Sequence, residues 1–442
     1  MSMFGLKEAE VATLVRAVAG ADLDRDAIEE RFARAAWTGI AEPGDRFAGL
    51  VVESLGAVRA LTAVVERWTT KELFAQLGAS ATDVEPDELK RAIDRWQPRL
   101  NSGAVLIALR QAARFGVTLR IPSDDGWPVG FAGLGLQGPI ALWTRGTEEA
   151  YRALTSSIAL VGARAATGYG EHITMEASAG LVDRGYAIVS GAAYGIDGMA
   201  HRAALASHGY TIAFLAGGVD RFYPSGHDAL LNRIVESGSV ISELPCGSPP
   251  TRWRFLQRNR LIAAASLATI VLEAGWRSGS LNTAGHAAEM GRPLGAVPGP
   301  VTSAASAGCH RMIREFDAVL VTCADQMAEL APLPAGVGTA TSSVALESAS
   351  TGRSAAPAVQ PAAVASQSVE TTRVLDALST RAPRRTEDVA ARCGLSIGEV
   401  QSVLARLELE GNARESERGW THIVAKPDRS RKVSAEASLP ES

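Results

Sequence analysis

Turns rich in glycine, serine and arginine follow short apolar runs in the middle of this 442-residue sequence. Three of them are VGARAATGYG (161–170), IVSGAAYGIDGMAH (188–201) and LAGGVDRFYP (215–224). Small residues let a backbone approach a ligand closely, and the unpaired N–H groups at the start of a helix bind phosphate. A guanidinium can grip phosphate with two hydrogen bonds, and an aromatic ring can stack on a base. The candidate ligand contacts in these turns are Gly162, Arg164, Thr167, Ser190, Gly191, Gly217, Gly218 and Tyr223.

Arginines interleaved with aromatic residues form a fourth signal, TRWRFLQRNRLIAAAS (251–266). Cations neutralise a nucleic-acid backbone and rings stack on bases, so this pattern is typical of proteins that bind single strands. The alternative is an ordinary helix whose arginines are simply solvated. The apolar run LIAAAS follows at once and predicts that this helix packs into the core, which makes that alternative weaker. We therefore predict a local basic patch. Its members are Arg252, Arg254, Arg258, Asn259 and Arg260.

The fifth signal is LEAGWRSGSLNTAGHAAEMGRP (272–293), another strand, turn and helix, in which Ser278, Gly279 and Ser280 are the candidate contacts. Open α/β sheets bind ligands outside the carboxyl ends of their strands. Five such turns on successive strands predict one crevice that holds phosphates. Alanine at Arg164 or Arg258 is expected to weaken binding without unfolding the domain.

Three further side chains near these turns have simpler interpretations. Asp197 is predicted to cap a helix, because aspartate accepts hydrogen bonds from free N–H groups at a helix start. His201 lies on a predicted helix and is interpreted as a packing residue. Phe222 is assigned to the core, whereas Tyr223 should begin a loop because Pro224 follows it.

No pattern for catalysis or for a cofactor stands out. The sequence lacks GxGxxG with an acidic residue about 20 positions further on, and it lacks the Walker pattern GxxxxGK[ST]. It also lacks HExxH and any convincing Ser–His–Asp or paired-carboxylate arrangement. The four cysteines have no metal-ligand spacing. We predict that the site holds phosphates without transforming them, with no catalytic residue, no metal and no cofactor.

Bulk composition restricts the class of protein. Lys and Arg total 44 against 48 Asp and Glu, and the net charge of −4 leaves any nucleic-acid site to a local patch. The N-terminal residues lack the basic and apolar regions of a signal peptide, and no apolar run reaches the roughly 20 residues of a membrane helix. We predict a cytoplasmic protein that does not contact a membrane.

Periodicity places these turns on an α/β framework. Residues 1–115 are predicted to form an N-terminal helical domain, since apolar residues such as Val11, Leu14 and Val15 recur at helical spacing. Residues 116–331 alternate buried apolar strands with helices. This alternation predicts an extended Rossmann-like core, a doubly wound and mostly parallel sheet.

The C-terminal part of the sequence has a different texture. Residues 332–368 are rich in Ala, Ser, Thr, Pro and Gly and predict a flexible linker. Residues 369–425 predict a winged helix and residues 426–442 a disordered tail. A capping box of Ser396 and Glu399 starts the third helix of this module.

The outward face of that third helix has a mixed charge. It carries Gln401, Ser402, Arg406 and Glu408, whereas a helix that reads a DNA groove is expected to be basic. We therefore interpret the winged helix as a protein contact or a structural appendage.

Taken together, these motifs resemble the DNA-processing protein A family (DprA, also called Smf). The resemblance extends from about residue 30 to 330 and includes the winged helix. The matching elements are VGARAATGYG, SGAAYGIDGMAH, LAGGVDRFYP, SELP (242–245), FLQRNRLIA, EAGWRSGSLNTA and AVPGP. It implies an extended Rossmann core that binds single-stranded DNA, forms a homodimer, protects incoming DNA and helps load RecA during recombination in natural transformation, in competent cells. The positions similar to the family's DNA pocket are Gly162, Arg164, Ser190, Gly191, Gly217, Gly218, Arg258, Asn259 and Arg260.

The sequence departs from the family pattern at three places. Members often have the motif FPxRNR, and this sequence reads FLQRNR at 255–260, with Leu256 in place of the proline. His310 follows Cys309, where Asn is usual. Ser225–Gly226 lacks the basic residue that some members carry after the Tyr–Pro pair.

Two other functions fit parts of the sequence. A nucleotide-processing enzyme of the lysine-decarboxylase-like phosphoribohydrolase fold would share the sheet and its glycine-rich turns. That family's PGGxGTxxE element is not matched by EAGWRSGSLNT, and Glu273 would be the carboxylate to test. A protein adaptor acting through the helical and winged-helix ends is the second alternative.

Overall fold

Seven helices precede the first strand in the computed structural model, which describes residues 4–78, 84–333 and 368–423. Aspartate or asparagine side chains begin several of them by accepting backbone N–H bonds, as Asp24 does from Ala27 and Asn101 from Ala104. The helices are α1 (Glu8–Ala19), α2 (Arg25–Ile40), α3 (Arg46–Leu55), α4 (Ala57–Val65), α5 (Thr70–Leu77), α6 (Pro86–Trp96) and α7 (Ser102–Arg114). The predicted N-terminal helical region is therefore confirmed.

A nine-stranded sheet follows. Its strands are β1 (Thr118–Arg120), β2 (Leu142–Gly146), β3 (Ser157–Gly162), β4 (Ala187–Ser190), β5 (Thr211–Phe214), β6 (Ser239–Ser242), β7 (Ala268–Glu273), β8 (Leu294–Ala296) and β9 (Val319–Leu320). Their order is β1-β2-β6-β5-β4-β3-β7-β8-β9. The pairs from β6 to β9 along this order are parallel, and β1 and β2 add an antiparallel edge. The prediction of a doubly wound, mostly parallel sheet is confirmed.

Helices cover both faces of the sheet. They are α8 (Glu148–Arg152), α9 (Gly168–Asp183), α10 (Ile196–Ala206), α11 (Asp228–Ser237), α12 (Arg252–Ala265), α13 (Ser280–Glu289), α14 (Ala307–Glu315) and α15 (Ala324–Glu329). Residues of α9, α10 and α15 share one buried cluster with the sheet, and residues of α12, α13 and α14 share the other. Strands flanked by helices on both faces are mostly apolar, and β4, β5 and β7 are buried at every position.

The strand order reverses next to β3. The chain runs from β3 outward through β4, β5 and β6 on one side, and from β7 through β8 to β9 on the other. The loops that follow β3 and β7 therefore diverge and leave a crevice between them. This crevice is the expected ligand site of a doubly wound sheet.

The C-terminal residues belong to a second compact unit. In this unit, three helices are followed by a two-stranded hairpin. It comprises α16 (Val369–Ala377), α17 (Thr386–Cys393), α18 (Ile397–Leu409), β10 (Ala413–Ser416) and β11 (Gly419–His422). Ser396 and Glu399 form the predicted capping box at the start of α18. Val400 and Leu404 are buried in its core, so the predicted winged helix is confirmed.

Two predicted segments fall largely outside the described residues, namely the linker (332–368) and the tail (426–442). Among the residues that the structure does describe, no single helix is long and apolar enough to cross a membrane. The bent pair α3 and α4, which turns by 114°, passes this test on length and composition alone.

Candidate nucleic-acid interface

A pocket of about 680 Å³ opens where the strand order reverses. Most of its lining comes from the loop after β3, one face of α12, and the loop that joins β7 to α13, with Ala193 and Asp197 after β4 and Ala304 and Ala305 before α14 completing it. The predicted contacts that line this pocket are Gly162, Arg164, Arg258, Asn259, Ser278, Gly279 and Ser280. The structure therefore brings together residues from the first, fourth and fifth sequence signals.

Phe255 is the aromatic centre of the pocket, and sequence reasoning did not select it as a contact. Arg164 and Arg258 each place Cζ 5.6 Å from the centroid of the Phe255 ring. Tyr223 packs against the same ring at 5.5 Å between centroids and is 52 % exposed. Phe255, Arg258, Asn259 and Ile262 all line the pocket, and their spacing of i, i+3, i+4, i+7 is the helical signal that could have identified this face.

Arg258 holds the pocket together from inside the protein. Its Nη1 donates to the backbone carbonyls of Gly191, at 2.6 Å, which directly follows β4, and of Phe214, the last residue of β5. Burial lowers the pKa of Arg258 to about 10, so the guanidinium stays charged at neutral pH. A Cβ on Gly191 would lie 2.4 Å from this guanidinium. Gly191 thus makes room for Arg258 and does not itself line the pocket.

Arg254 and Arg260 do not belong to a solvent-facing patch, and that part of the prediction is wrong. Arg254 donates to Glu42 through Nε at 3.1 Å and Nη2 at 2.7 Å. Arg260 Nη2 donates to both carboxylate oxygens of Glu243, at 2.7 and 2.8 Å. Buried charges need such partners because water is excluded from them. Arg252 is exposed but lies outside the pocket lining.

The accessible positive charge at the pocket comes from two other residues. Arg164, on the loop after β3, and Arg277, on the loop after β7, are both exposed and both line the pocket. Arg277 lies within the fifth sequence signal but was not among the predicted contacts. These two cations come from different segments of the pocket lining, and phosphate can reach both of them.

The start of α9 is already occupied by a side chain of the protein. Glu273, which is 2 % exposed, accepts from Thr167 N at 2.9 Å and from Thr167 Oγ1 at 2.6 Å. Thr167 Oγ1 in turn accepts from Gly170 N at 3.2 Å. The carboxylate is stabilised at the positive end of the helix dipole. The prediction that Thr167 and this helix start contact phosphate therefore conflicts with the structure.

The remaining predicted contacts are used for packing. Ser190 Oγ donates to the Leu160 carbonyl at 2.7 Å and is fully buried. A Cβ on Gly217 would lie 2.9 Å from the Ser248 carbonyl oxygen, and one on Gly218 would lie 2.8 Å from that of Pro245. These glycines permit close backbone packing below the crevice, and none of the three residues lines the pocket.

Asp197 is not a helix cap, because α10 begins after Gly195 and Asp197 lies in its first turn. Its carboxylate accepts from Gly191 N at 3.2 Å and Ala193 N at 3.3 Å, and so fixes the loop after β4. Burial raises the pKa of Asp197, and the charge of Arg258 opposes that rise. Asp197 lines the pocket beside Arg258.

His201 is confirmed as a packing residue. It is fully buried, and its Nδ1 lies 2.6 Å from Thr211 Oγ1. Burial lowers the pKa of His201 to about 3, so the ring is neutral at physiological pH. The prediction that Phe222 belongs to the core is wrong, since Phe222 is only half-buried and its ring is 5.5 Å from Cζ of the Arg145 guanidinium.

The departures from the family pattern have clear positions in the structure. Leu256 lines the pocket and is 43 % exposed, so it adds an apolar surface to the wall. His310 Nε2 lies 3.0 Å from the Gly299 carbonyl oxygen and links α14 to the loop after β8. A Cβ on Gly226 would lie 2.6 Å from the Tyr194 hydroxyl. His310 and Gly226 therefore have local packing roles, whereas Leu256 is part of the pocket surface.

Comparison with known proteins identifies the relatives of this architecture. The family model for DNA recombination-mediator protein A matches residues 118–332, and that for the DprA winged helix domain matches residues 356–417. The putative DNA processing protein DprA of Mycobacterium tuberculosis is 39 % identical over 397 residues, which cover 87 % of this chain and 92 % of the relative. This chain belongs to the DNA processing protein A (DprA) family. The resemblance predicted from the motifs is thereby confirmed.

Two further DprA comparisons involve Streptococcus pneumoniae. Its DNA processing protein DprA is 36 % identical over 206 residues, which cover 47 % of this chain and 72 % of the relative. The X-ray structure of that organism's DprA matches with a TM-score of 0.53 and 28 % identity, over 68 % of this chain and 97 % of the other. The extended sheet described above is therefore the DprA fold.

The carboxylates near the pocket of this DprA-family chain are already engaged. Asp197, the one acidic residue among the described pocket-lining residues, accepts two backbone N–H bonds. Glu273 accepts both donors of Thr167 and does not line the pocket. A general acid or base must reach the atom whose proton it transfers. The geometry therefore suits the binding of a polyanion better than acid–base chemistry.

Proposed function

We propose that this DprA-family protein binds single-stranded DNA in the pocket between β3 and β7, without catalysing a reaction on it. The observation that carries the proposal is the Phe255 ring flanked by the guanidinium groups of Arg164 and Arg258. Arg164 and Arg277 supply accessible charge for phosphates, and Phe255 with Tyr223 supplies ring faces for bases. Duplex DNA hides its base faces by stacking, so this combination favours a single strand.

Gly279 offers a direct test, because it lines the pocket at the start of α13. Its φ of −63° is ordinary for any residue, and a Cβ there would meet no atom within 4 Å. Gly279→Glu places a carboxylate in the pocket, whereas Gly279→Gln adds the same bulk without charge. Two like charges about 8 Å apart repel by about 2 kcal/mol at an effective dielectric constant of about 20. That energy corresponds to about 30-fold in affinity.

The measurement is fluorescence anisotropy of a labelled single-stranded oligonucleotide and of its duplex. We expect preferential binding of the single strand, a large loss for Gly279→Glu and a small loss for Gly279→Gln. Equal binding by all three proteins would exclude this pocket as the DNA site.

The rival function, hydrolysis of a nucleotide, is tested by incubation with nucleoside monophosphates. Release of free base, lost in Glu273→Gln, would establish the enzyme. We expect no release, because Glu273 is buried and holds the start of α9.

We further propose, from the family resemblance, that the protein acts in the cytoplasm as a homodimer that protects incoming DNA and promotes RecA loading in transformation. The pocket supports the DNA step of this role. Dimerisation is tested by light scattering, and RecA loading by RecA-filament formation on single strands coated with single-strand-binding protein. A monomer, or filament formation unaffected by the protein, would contradict this part of the proposal.

The winged helix is proposed as a protein contact or appendage, joined to the core (116–331) by the predicted linker. Arg406 on α18 donates to Thr371 Oγ1 within its own unit, and Glu408 is exposed. Deletion of residues 369–442 should therefore leave single-strand affinity intact. A large loss of affinity would assign DNA binding to the winged helix.

A further inference from the structure

Trp276 is a large aromatic side chain exposed beside the pocket. It lies on the loop between β7 and α13, directly before Arg277 and Ser278, both of which line the pocket. The side chain is 57 % exposed. Single exposed apolar residues are common on protein surfaces, so exposure alone indicates nothing. Trp276 differs from such residues because its neighbours in the chain, Gly275 and Arg277, line a site built from cations and rings.

Arg311 supports the Trp276 ring from α14. Its Cζ lies 5.0 Å from the centroid of the Trp276 ring, and 5.6 Å from that of Phe316. Its Nε donates to Glu315 Oε2 at 2.6 Å. Three contacts thus hold the guanidinium in place against the indole. A cation over the ring attracts its π-face, and the resulting stack is ordered before any ligand arrives.

We propose that Trp276 is a second base-stacking site, on which a nucleotide of the strand stacks as the strand leaves the pocket. The inference rests on the proposed DNA-binding function and extends it to a surface outside the pocket lining. Arg311 covers part of the ring, the rest is accessible, and Arg277 next to it is placed to meet the intervening phosphate. Stacking on an aromatic ring tolerates any base, so this site lengthens the binding track without adding sequence preference.

Charge favours a nucleic-acid strand over a second protein surface at this position. Arg277, the next residue in the chain, is exposed, and the exposed Arg164 lines the same pocket. A polyanion is attracted to such a group of cations, whereas an apolar protein surface would have to desolvate them. Coverage of Trp276 by a second copy of this chain is the competing outcome in the test below.

The test compares affinities of Trp276→Ala, Trp276→Phe and the unaltered protein for oligothymidylates of increasing length. Beyond the length that fills the pocket, Trp276→Ala should weaken binding by about 5-fold to about 100-fold, the effect expected for one stacked base. The shortest oligonucleotides should bind equally. Trp276→Phe should recover most of the affinity, because it keeps a ring. No charge changes, so the salt dependence should be the same.

Tyr210→Ala is the matched control, because Tyr210 is 44 % exposed and lies at the amino end of β5, whereas the pocket lies at the carboxyl ends of the parallel strands. It should bind like the unaltered protein. Equal affinity of Trp276→Ala at every length would overturn the inference. A change of mass in light scattering with no change in the length dependence would assign Trp276 to a protein interface instead. Gly279→Glu keeps the two proposals separate: if it weakens binding while Trp276→Ala does not, only the second stacking site fails.

Discussion

Replacing Arg164 with alanine should remove one phosphate contact and leave the fold intact. In the described part of the chain no salt bridge holds Arg164, and the side chain is exposed on the loop after β3. Its recorded ring contact is with Phe255, at 5.6 Å. Surface substitutions of this kind change stability by about 0.5 kcal/mol or less. The thermal unfolding curve should therefore be close to that of the unaltered protein.

The effect of Arg164→Ala on binding has two parts. A hydrogen bond to a charged group contributes about 1.5–3 kcal/mol, which is about 10-fold to about 100-fold in affinity. Each phosphate that the protein neutralises also adds about 0.7 to the slope of log affinity against log salt for a single strand. Between about 50 and about 200 mM salt, the loss of one such contact reduces the salt effect by about 2.6-fold.

Anisotropy titrations at several salt concentrations measure both parts. Arg164→Lys is the control. It keeps the positive charge, and hence the slope of log affinity against log salt, but it loses the bidentate hydrogen bonding of the guanidinium. An unchanged slope for Arg164→Ala would refute the assignment of Arg164 to a phosphate. Arg258→Ala, by contrast, cannot separate an effect on DNA binding from an effect on folding. Arg258 is buried against the Gly191 and Phe214 carbonyls, so its loss should destabilise the core, contrary to the expectation from sequence.

Three further substitutions test the surroundings of the site. Glu42→Gln should lower the free energy of unfolding in urea by about 3–5 kcal/mol, since Arg99 and Arg254 would lose their buried partner; an unchanged midpoint would contradict the ion pairs. His201, with its pKa lowered from 6.5 to about 3, contributes stability that is complete above pH 6.5 and is lost as the pH falls towards 3. The unaltered protein should therefore lose about 2 kcal/mol more than His201→Gln between neutral pH and pH 5, and equal losses would show that His201 does not titrate as described. Gly191→Ala should cost about 1–3 kcal/mol and weaken DNA binding, because its Cβ would displace the Arg258 guanidinium; normal melting and binding would show that the loop adapts.

The core of the fold could be predicted because its signal is local. Each buried strand is a short apolar run, and a helix of regular period follows most of them, so the doubly wound, mostly parallel sheet could be predicted from the sequence. The antiparallel edge was not predicted. The strand β2 begins at Leu142, and its place in the sheet depends on pairing with β6 almost 100 residues later. Pairing over such distances leaves no local trace in the sequence.

The site was predicted in outline but not residue by residue. Glycines and arginines at strand ends indicated the crevice correctly, yet the same residue types also serve packing, as Gly217 and Ser190 do. Whether an arginine faces solvent depends on its partner, and Glu42 is 212 residues from Arg254 in the sequence. Phe255 could have been predicted as a pocket residue from the sequence, because helical spacing places it with Arg258 on one face of α12.

The most direct test of the central claim is photo-crosslinking of the protein to a single-stranded oligonucleotide that carries 5-iodouracil, followed by mass spectrometry of the linked peptides. Iodouracil couples to aromatic side chains that stack on it. If the pocket binds the strand, crosslinks should map to Phe255 or Tyr223 and should disappear in Gly279→Glu. Crosslinks confined to the winged helix (368–423), or crosslinks at the pocket that persist in Gly279→Glu, would contradict the assignment of single-strand binding to this pocket.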